Sequence, residues 1–128
     1  MTAQAPTIFL SLRYRDAPAA MDFLEKAFGF RRVQDYRDDD GNVMHAEMAY
    51  GNSMVMLGMA RDDQYGSHVG EGWAYVVVED PDAHYTQAKE AGAEILRELE
   101  DQDYGSRDYS ARDPEGNVWS FGTYRPGA

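Results

Sequence analysis

An alternating segment opens the chain, and a helical pattern follows it. Residues 7–14 alternate between apolar and polar side chains and are rich in β-formers, which predicts a strand. Apolar residues then recur at positions 20, 23, 24 and 27, a spacing that places them on one helical face. Asp16 stands where an N-cap is expected and Gly29 where a helix ends. The pattern therefore predicts a strand followed by a helix.

Three further strands are predicted before the middle of the chain. They cover residues 30–36, 43–50 and 53–57, and turn-forming residues separate them at 39–42 and 51–52. The first half is thus a β-α-β-β-β unit. Residues 59–70 are polar, contain glycine and show no period, which indicates a linker.

The same order of elements recurs after the linker. A strand is predicted at 73–78, Asp80 and Pro81 start a helix, Gly92 ends it, and strands follow at 94–99, 106–112 and 118–124. The interval from Asp16 to Asp80 nearly equals that from Gly29 to Gly92. We therefore expect an α+β fold of two repeated βαβββ modules, at 7–58 and 71–125, within one domain over 1–128. Two unrelated α+β hairpin units are the alternative.

Composition narrows the classes of partner. The chain has 128 residues, no cysteine and a formal net charge of −11. This charge argues against nucleic acid and against anionic membranes, and it favours cationic partners or simply solubility. No signal peptide and no apolar run of membrane-spanning length is visible, so a cytoplasmic protein is expected.

The sequence resembles the vicinal-oxygen-chelate superfamily, and in particular its bleomycin-resistance-like branch. The similarity is carried by Leu12-Arg-Tyr-Arg-Asp with the later Phe28-Gly-Phe, by Val76-Val-Val-Glu-Asp-Pro, and by the segment from Tyr104 to Phe121. The resemblance implies a curved mixed sheet around a cleft. It also implies a homodimer, in which clefts form between chains.

Metal enzymes of this superfamily take one ligand from each of four strands. Carried over strand by strand, these positions are Phe9, Met56, Trp73 and Ser120. A phenyl ring has no lone pair, an indole N–H only donates, a thioether is a weak ligand, and a lone hydroxyl is a poor one. We therefore expect neither a metal nor another cofactor.

Strand alternation assigns further side chains to the cleft. If the four ligand positions face it, their neighbours two positions away do so as well. These are Ser11, Arg13, Met54 and Tyr75. The intervening residues are mostly apolar and are expected to pack under the helices.

His45 and Glu47 share one face of a middle strand. They are a candidate general base with its orienting carboxylate, or a metal pair of a kind not found in the family. The alternative is a solvated pair on the outer face of the strand. Met44, Ala46 and Met48 are expected on the opposite, apolar face.

Arg107 and Tyr109 alternate on one strand face, with Tyr104 just before them. They are a candidate wall for binding an anion or a ring. The alternative is that Arg107 pairs with an acidic residue within 98–103 and that the tyrosines pack. His84 is expected on a helix surface.

Two functions of different classes follow from these residues. The leading hypothesis is a metal-free protein that binds a small, cationic aromatic molecule or antibiotic in an aromatic cleft. The rival is a glyoxalase-like lyase or isomerase, or a dioxygenase, with an altered site around His45 and Glu47. A dimer without a ligand is a third possibility.

Overall fold

The computed structural model of the chain describes residues 6–127. Its elements, in chain order, are β1 (Leu10–Tyr14), α1 (Ala17–Phe28), β2 (Arg31–Arg37), β3 (Val43–Tyr50), β4 (Ser53–Met59), β5 (Trp73–Val77), α2 (Pro81–Glu90), β6 (Glu94–Asp101), β7 (Arg107–Arg112) and β8 (Val118–Gly122). The order is βαβββ twice, so the predicted pair of modules is confirmed. Neither helix in this part of the chain has the length and apolar character needed to cross a membrane.

Each module forms its own four-stranded mixed sheet, in the order β1-β4-β3-β2 or β5-β8-β7-β6. The first strand of each module pairs in parallel with the last, and the other pairs are antiparallel. A strand and its parallel neighbour need a crossover, which the helix and the two middle strands supply. The sheet order therefore places β1 and β2 at the edges of the first sheet, and β5 and β6 at the edges of the second.

The helices begin and end where local chemistry requires. Oδ1 of Asp16 accepts a hydrogen bond from the Ala19 N–H at 3.1 Å, and Asp80 does the same for Ala83 at 3.1 Å. These carboxylates satisfy N–H groups that have no partner inside a helix. Gly29 ends α1 with φ of 78°, a left-handed conformation that glycine adopts without steric cost.

Several predicted boundaries differ from the structure. Phe9 lies before β1, whereas a strand was expected from residue 7, and β8 ends at Gly122 rather than at 124. Met44 was expected on the apolar face but is 48% exposed. The ladder between β2 and β3 shifts register here: Tyr36 pairs with His45, and Arg37 pairs with Val43. Because of this bulge, Met44 has no paired residue on β2 and its side chain is exposed. The side chain of Val43 is buried in its place.

The two modules share one hydrophobic core between their helix-covered faces. Phe28, at the end of α1, packs against Trp119 and Phe121 of β8, with ring centroids 5.9 and 4.7 Å apart. Phe30 meets the same indole at 5.4 Å. The core therefore crosses from one repeat to the other, and neither module buries its apolar face alone.

The Asp113 carboxylate is the main polar connection between the modules. It is only 4% exposed. Its Oδ2 accepts from the Tyr14 hydroxyl at 2.5 Å and from the Trp119 indole at 3.1 Å. Its other contacts hold the turn that follows it, from the main-chain N–H groups of Glu115 and Asn117 and from the Asn117 amide.

The same turn also holds the start of the first helix and of the second module. Glu115 accepts from the main-chain N–H groups of Arg15 and Asp16 at 2.6 and 2.7 Å. Asn117 accepts from the Gly72 N–H at 2.8 Å, just before β5. The turn at 113–117 therefore fixes how one module sits on the other.

We expect Asp113→Ala to lower the free energy of unfolding by about 3 kcal/mol or more, because it leaves several buried donors without an acceptor. Tyr14→Phe removes one donor only and should cost about 1–2 kcal/mol. Asp39→Ala, in an exposed turn, is the matched control and should stay within about 0.5 kcal/mol of the parent protein. Urea denaturation measures all three, and equal effects of Asp113→Ala and Asp39→Ala would contradict the assignment.

Candidate ligand-binding site

Each sheet has one face that no helix covers, which we call its open face. In the second module, Ala74, Val76, Trp119 and Phe121 pack into the core. Because strand side chains alternate, Trp73, Tyr75 and Ser120 lie on the open face. This agrees with the face predicted for these three residues.

A pocket of about 380 Å³ lies on this open face, and we call it the second-module pocket. It is lined by Trp73, Ala74, Tyr75, Arg97, Tyr104, Asp108 and Ser120. Trp73 is 76% exposed and Tyr104 is 63% exposed. The structure thus brings together four residues that the sequence had marked as candidates, and three of the four are aromatic.

The Asp108 carboxylate forms the floor of the second-module pocket and is only 2% exposed. Its Oδ1 accepts from Nη2 of Arg97 at 2.7 Å and from Nε2 of Gln102 at 3.0 Å. Its Oδ2 accepts from the Tyr104 hydroxyl at 3.2 Å and, more weakly, from the Ser106 hydroxyl at 3.4 Å. The charge of this buried carboxylate is therefore balanced by one arginine and three neutral donors.

Tyrosine hydroxyls near this floor stay protonated. Loss of solvation, followed by the hydrogen bond to Asp108, raises the pKa of Tyr104. Partial burial is also the main cause that raises the pKa of Tyr75, whose hydroxyl donates to the Tyr124 carbonyl at 2.8 Å. Both groups are donors at neutral pH.

Gly122 makes room for this arrangement. A Cβ at this position would lie 2.6 Å from Cβ of Asp108 and 2.9 Å from the Tyr75 hydroxyl. A side chain would therefore displace either the floor or one wall of the pocket.

Three side chains on the same face, Ser110, Ser120 and Trp73, are linked by hydrogen bonds. The Ser110 and Ser120 hydroxyls lie 2.9 Å apart, and the Trp73 indole N–H reaches the Ser120 hydroxyl at 3.4 Å. The indole contact is at the long limit of a hydrogen bond, so the plane of Trp73 is held only loosely.

The first module has a different open face. Ser11 pairs with Met56, and Met56 pairs with Glu47 on the neighbouring strand. Nε2 of His45 lies 2.8 Å from Oε2 of Glu47, and the Tyr36 ring stacks on the imidazole with centroids 6.5 Å apart. The imidazole and carboxylate are therefore in contact, with side chains 42% and 29% exposed.

The remaining candidates of the first module lie apart from this pair. Arg13 is half-buried beside Gly58, its partner in the parallel ladder, and Nη1 of Arg13 reaches the Met59 carbonyl at 3.4 Å. Phe9 is 39% exposed ahead of β1. Met54 lines a separate groove of about 830 Å³ that runs between β1 and β5.

The expectation that Arg107 and Tyr109 face the cleft is wrong, although they do share a face. Tyr109 is fully buried and its ring stacks on Phe121 at 5.3 Å, on the helix side. Arg107 forms ion pairs with Asp82 at 2.7 Å and with Asp101 at 3.2 Å. The alternative considered for these two residues, pairing and packing, describes them.

His84 is buried rather than on the helix surface. Its Nε2–H donates to the Phe28 carbonyl at 2.8 Å, and the Tyr109 hydroxyl donates to Nδ1 at 2.6 Å. This arrangement requires the neutral imidazole. Burial lowers the pKa of His84, against a smaller opposite effect of the Phe28 carbonyl. The residue therefore joins the C-terminal end of α1 to α2.

Two residues of the second-module pocket, Arg97 and Asp108, were not among the candidates. Asp108 had a signal, because residues 108, 110 and 112 are polar and alternate with apolar 109 and 111. Arg97 had none, because two register shifts in the ladder between β6 and β7 break the alternation of β6.

The metal positions of the family are not able to hold a divalent ion here. Trp73 and Ser120 lie on the second open face, Met56 on the first, and Phe9 outside the strands. Within residues 6–127, no three His, Asp or Glu side chains are grouped as metal ligands. The donor set at these positions therefore does not fit the metal of the superfamily.

Comparison with known proteins agrees with the fold and the paired modules. The family model described as Glyoxalase/Bleomycin resistance protein/Dioxygenase superfamily matches residues 8–121. The chain belongs to this superfamily. It is 31% identical to the uncharacterized protein Mb0911c of Mycobacterium bovis, over 91% of this chain and 82% of that protein. It is also 31% identical to the uncharacterized protein Rv0887c of Mycobacterium tuberculosis, over 91% of this chain and 74% of that one.

Solved structures show the same architecture. TioX from Micromonospora sp. ML1 superposes with a TM-score of 0.81 at 31% identity, covering 94% of this chain and 100% of TioX. TnmS3, an antibiotic binding protein from Streptomyces sp. CB03234, superposes with a TM-score of 0.73 at 19% identity, covering 94% and 97% of the two chains.

We expect His84 to make stability depend on pH near neutrality. Because the folded pKa is lower than the unfolded value of about 6.5, the unfolded chain takes up a proton first as the pH falls. The stabilisation is complete above the unfolded pKa and is lost as the pH falls from there toward the folded pKa, by at most about 1.4 kcal/mol per pH unit.

Melting temperatures measured between pH 7.5 and 5.5 check this expectation. His84→Gln should flatten the slope, while His68→Gln, at a side chain that is 69% exposed, should leave it unchanged. Parallel slopes in the parent protein and in His84→Gln would exclude the effect.

Proposed function

We propose that the protein binds a planar aromatic small molecule in the second-module pocket, without a metal. The observation that carries the proposal is the exposure of Trp73. A tryptophan that is 76% exposed loses most of the stabilisation that burial of its ring would provide. It stands beside two further partly exposed rings, Tyr75 and Tyr104, above a concave polar floor.

Stacking is the interaction that this set of rings offers. An aromatic pair contributes about 0.5–1.5 kcal/mol beyond the area that it buries, and an indole presents the largest ring surface. The hydroxyls of Ser120 and Tyr104 supply polar contacts at the rim. Apolar walls with a few placed polar groups are typical of small-molecule sites. TnmS3, which has the same fold, is an antibiotic binding protein, and this supports a small-molecule ligand for the present protein.

A homodimer is part of this proposal. The edge strands β1 and β5 flank the groove of about 830 Å³, and Ile8 at its border is 91% exposed. A second copy would cover this apolar residue and the unpaired strand edges, which are otherwise prone to non-specific pairing. Sedimentation velocity should give twice the 14.4 kDa of one chain.

The contact between His45 and Glu47 favours a second function, a lyase or isomerase reaction. The carboxylate orients Nε2 of the imidazole and leaves Nδ1 for proton abstraction from a substrate. Tyr36 shields one face of the ring. In this alternative the catalytic face is that of the first module, and turnover would depend on His45 rather than on Trp73.

We expect Trp73→Ala to weaken binding of planar aromatic compounds about tenfold or more, since it removes the main stacking surface. Tyr65→Ala, at a ring that is 72% exposed in the linker, is the matched control and should bind as the parent protein does. Calorimetric titration measures the affinities. At a ligand concentration 100 times the Kd, the parent protein should gain about 2.7 kcal/mol of stability.

Two results would count against this function. One is that no compound of a broad planar aromatic panel shifts the melting temperature. The other is that the panel binds equally well to the parent protein and to Trp73→Ala. Turnover of a carbonyl substrate that is lost in His45→Gln, and kept in Trp73→Ala, would favour the enzyme instead.

A further inference from the structure

The hydrogen-bonding capacity of the second-module pocket is unequal between donors and acceptors. A carboxylate offers about four lone-pair sites. The four sites of Asp108 are taken by Arg97, Gln102, Tyr104 and Ser106. Its negative charge is also compensated by the Arg97 guanidinium at 2.7 Å. The carboxylate at the floor therefore has nothing left to offer a ligand that donates hydrogen bonds.

Arg97 is in the opposite situation. A guanidinium carries five N–H donors in a rigid plane. Within residues 6–127, only its Nη2 donates to a protein acceptor, the Asp108 carboxylate. Its side chain is 42% exposed and lines the pocket, and its Nη1 and Nε have no acceptor among the described residues. The charged donors that remain for a ligand are consequently those of an arginine that Asp108 holds in place.

We infer that the second-module pocket selects an uncharged planar ring system that carries a carbonyl oxygen, with the ring on Trp73 and the oxygen on Arg97. This inference rests on the proposed function, because it specifies the ligand class of the same pocket. It changes the expectation of a cationic ligand, which came from the net charge of −11 for the whole chain. At the pocket itself, a cation gains little from Arg97 and Asp108, whose charges compensate each other, and it finds no unoccupied lone pair on Asp108.

A negatively charged ligand is also disfavoured. The charges of Arg97 and Asp108 compensate each other at 2.7 Å, so a carboxylate gains little from the pair as a whole. The net charge of −11 then repels an anion as it approaches. A neutral carbonyl avoids both costs and still accepts a hydrogen bond from a charged donor, the stronger kind.

Four compounds built on the same tricyclic ring frame separate these cases. They are xanthone, which has a ring carbonyl, xanthene, which lacks it, the anion xanthene-9-carboxylate and the cationic dye pyronin Y. Affinities are measured by calorimetry, and quenching of the exposed Trp73 indole reports where each ring binds. Trp119 is buried, so it contributes a constant background.

We expect the parent protein to bind xanthone about 10-fold to 100-fold more tightly than xanthene, the range for a hydrogen bond to a charged group. Both charged compounds should bind more weakly than xanthone. Arg97→Gln retains an amide donor for Asp108 but removes the other N–H donors of the guanidinium. It should therefore bring the ratio of xanthone to xanthene affinity close to one. Arg112→Gln is the control, because Arg112 pairs with Glu94 and does not line the pocket.

The outcomes distinguish this inference from the function on which it rests. Equal binding of xanthone and xanthene to the parent protein, or tightest binding of pyronin Y, overturns the carbonyl preference and leaves ring binding intact. Failure of all four compounds to bind overturns both. If Arg97→Gln does not fold, the ratio of xanthone to xanthene affinity is compared between the parent protein and Arg97→Lys. Lysine keeps the charge beside Asp108 but loses the planar guanidinium.

Discussion

The structure depends on the Asp113 carboxylate more than on any other polar group. This residue receives hydrogen bonds from the first strand of one module, through Tyr14, and from the last strand of the other, through Trp119. A buried carboxylate is stable only if its lone pairs are satisfied, and here the donors are Tyr14 of the first module, Trp119 of the second and the turn at 113–117. The adjacent Glu115 adds contacts to the main chain at the start of α1.

The packing of the two modules against each other determines which sheet faces stay open. Because the helix-covered faces meet in one core, around Phe28 and Trp119, both open faces are left to the surroundings. Their polar groups are partnered within each face: His45 with Glu47 on the first, and Arg97 with Asp108 on the second. On the second face, the Trp73 ring is 76% exposed and lies outside the core. The two repeats thus differ in their open faces: the first has the imidazole–carboxylate pair, and the second has the exposed rings.

Residues of the second-module pocket were predictable to different degrees. Trp73 and Ser120 came from the ligand positions that the resemblance implies, and Tyr75 followed from Trp73 by alternation, since these strands are regular. Tyr109 was assigned to the wrong face, because its aromatic ring suits a pocket wall as well as a core. Its partner in the ladder is Phe121, a core residue, and paired residues of adjacent strands lie on the same face. Comparing β7 with β8 would have turned the prediction toward Asp108.

The sequence by itself determined the two modules, their helix caps and the kinds of side chain on each strand. These features depend on short-range chemistry: period, capping carboxylates, glycine at positive φ, and the presence or absence of donor atoms. Only the tertiary structure decided that His84 is buried, that Met44 is displaced by a bulge, and that Arg97 reaches Asp108. Each of these depends on a register shift or on packing between distant segments, and no local pattern in the chain encodes them.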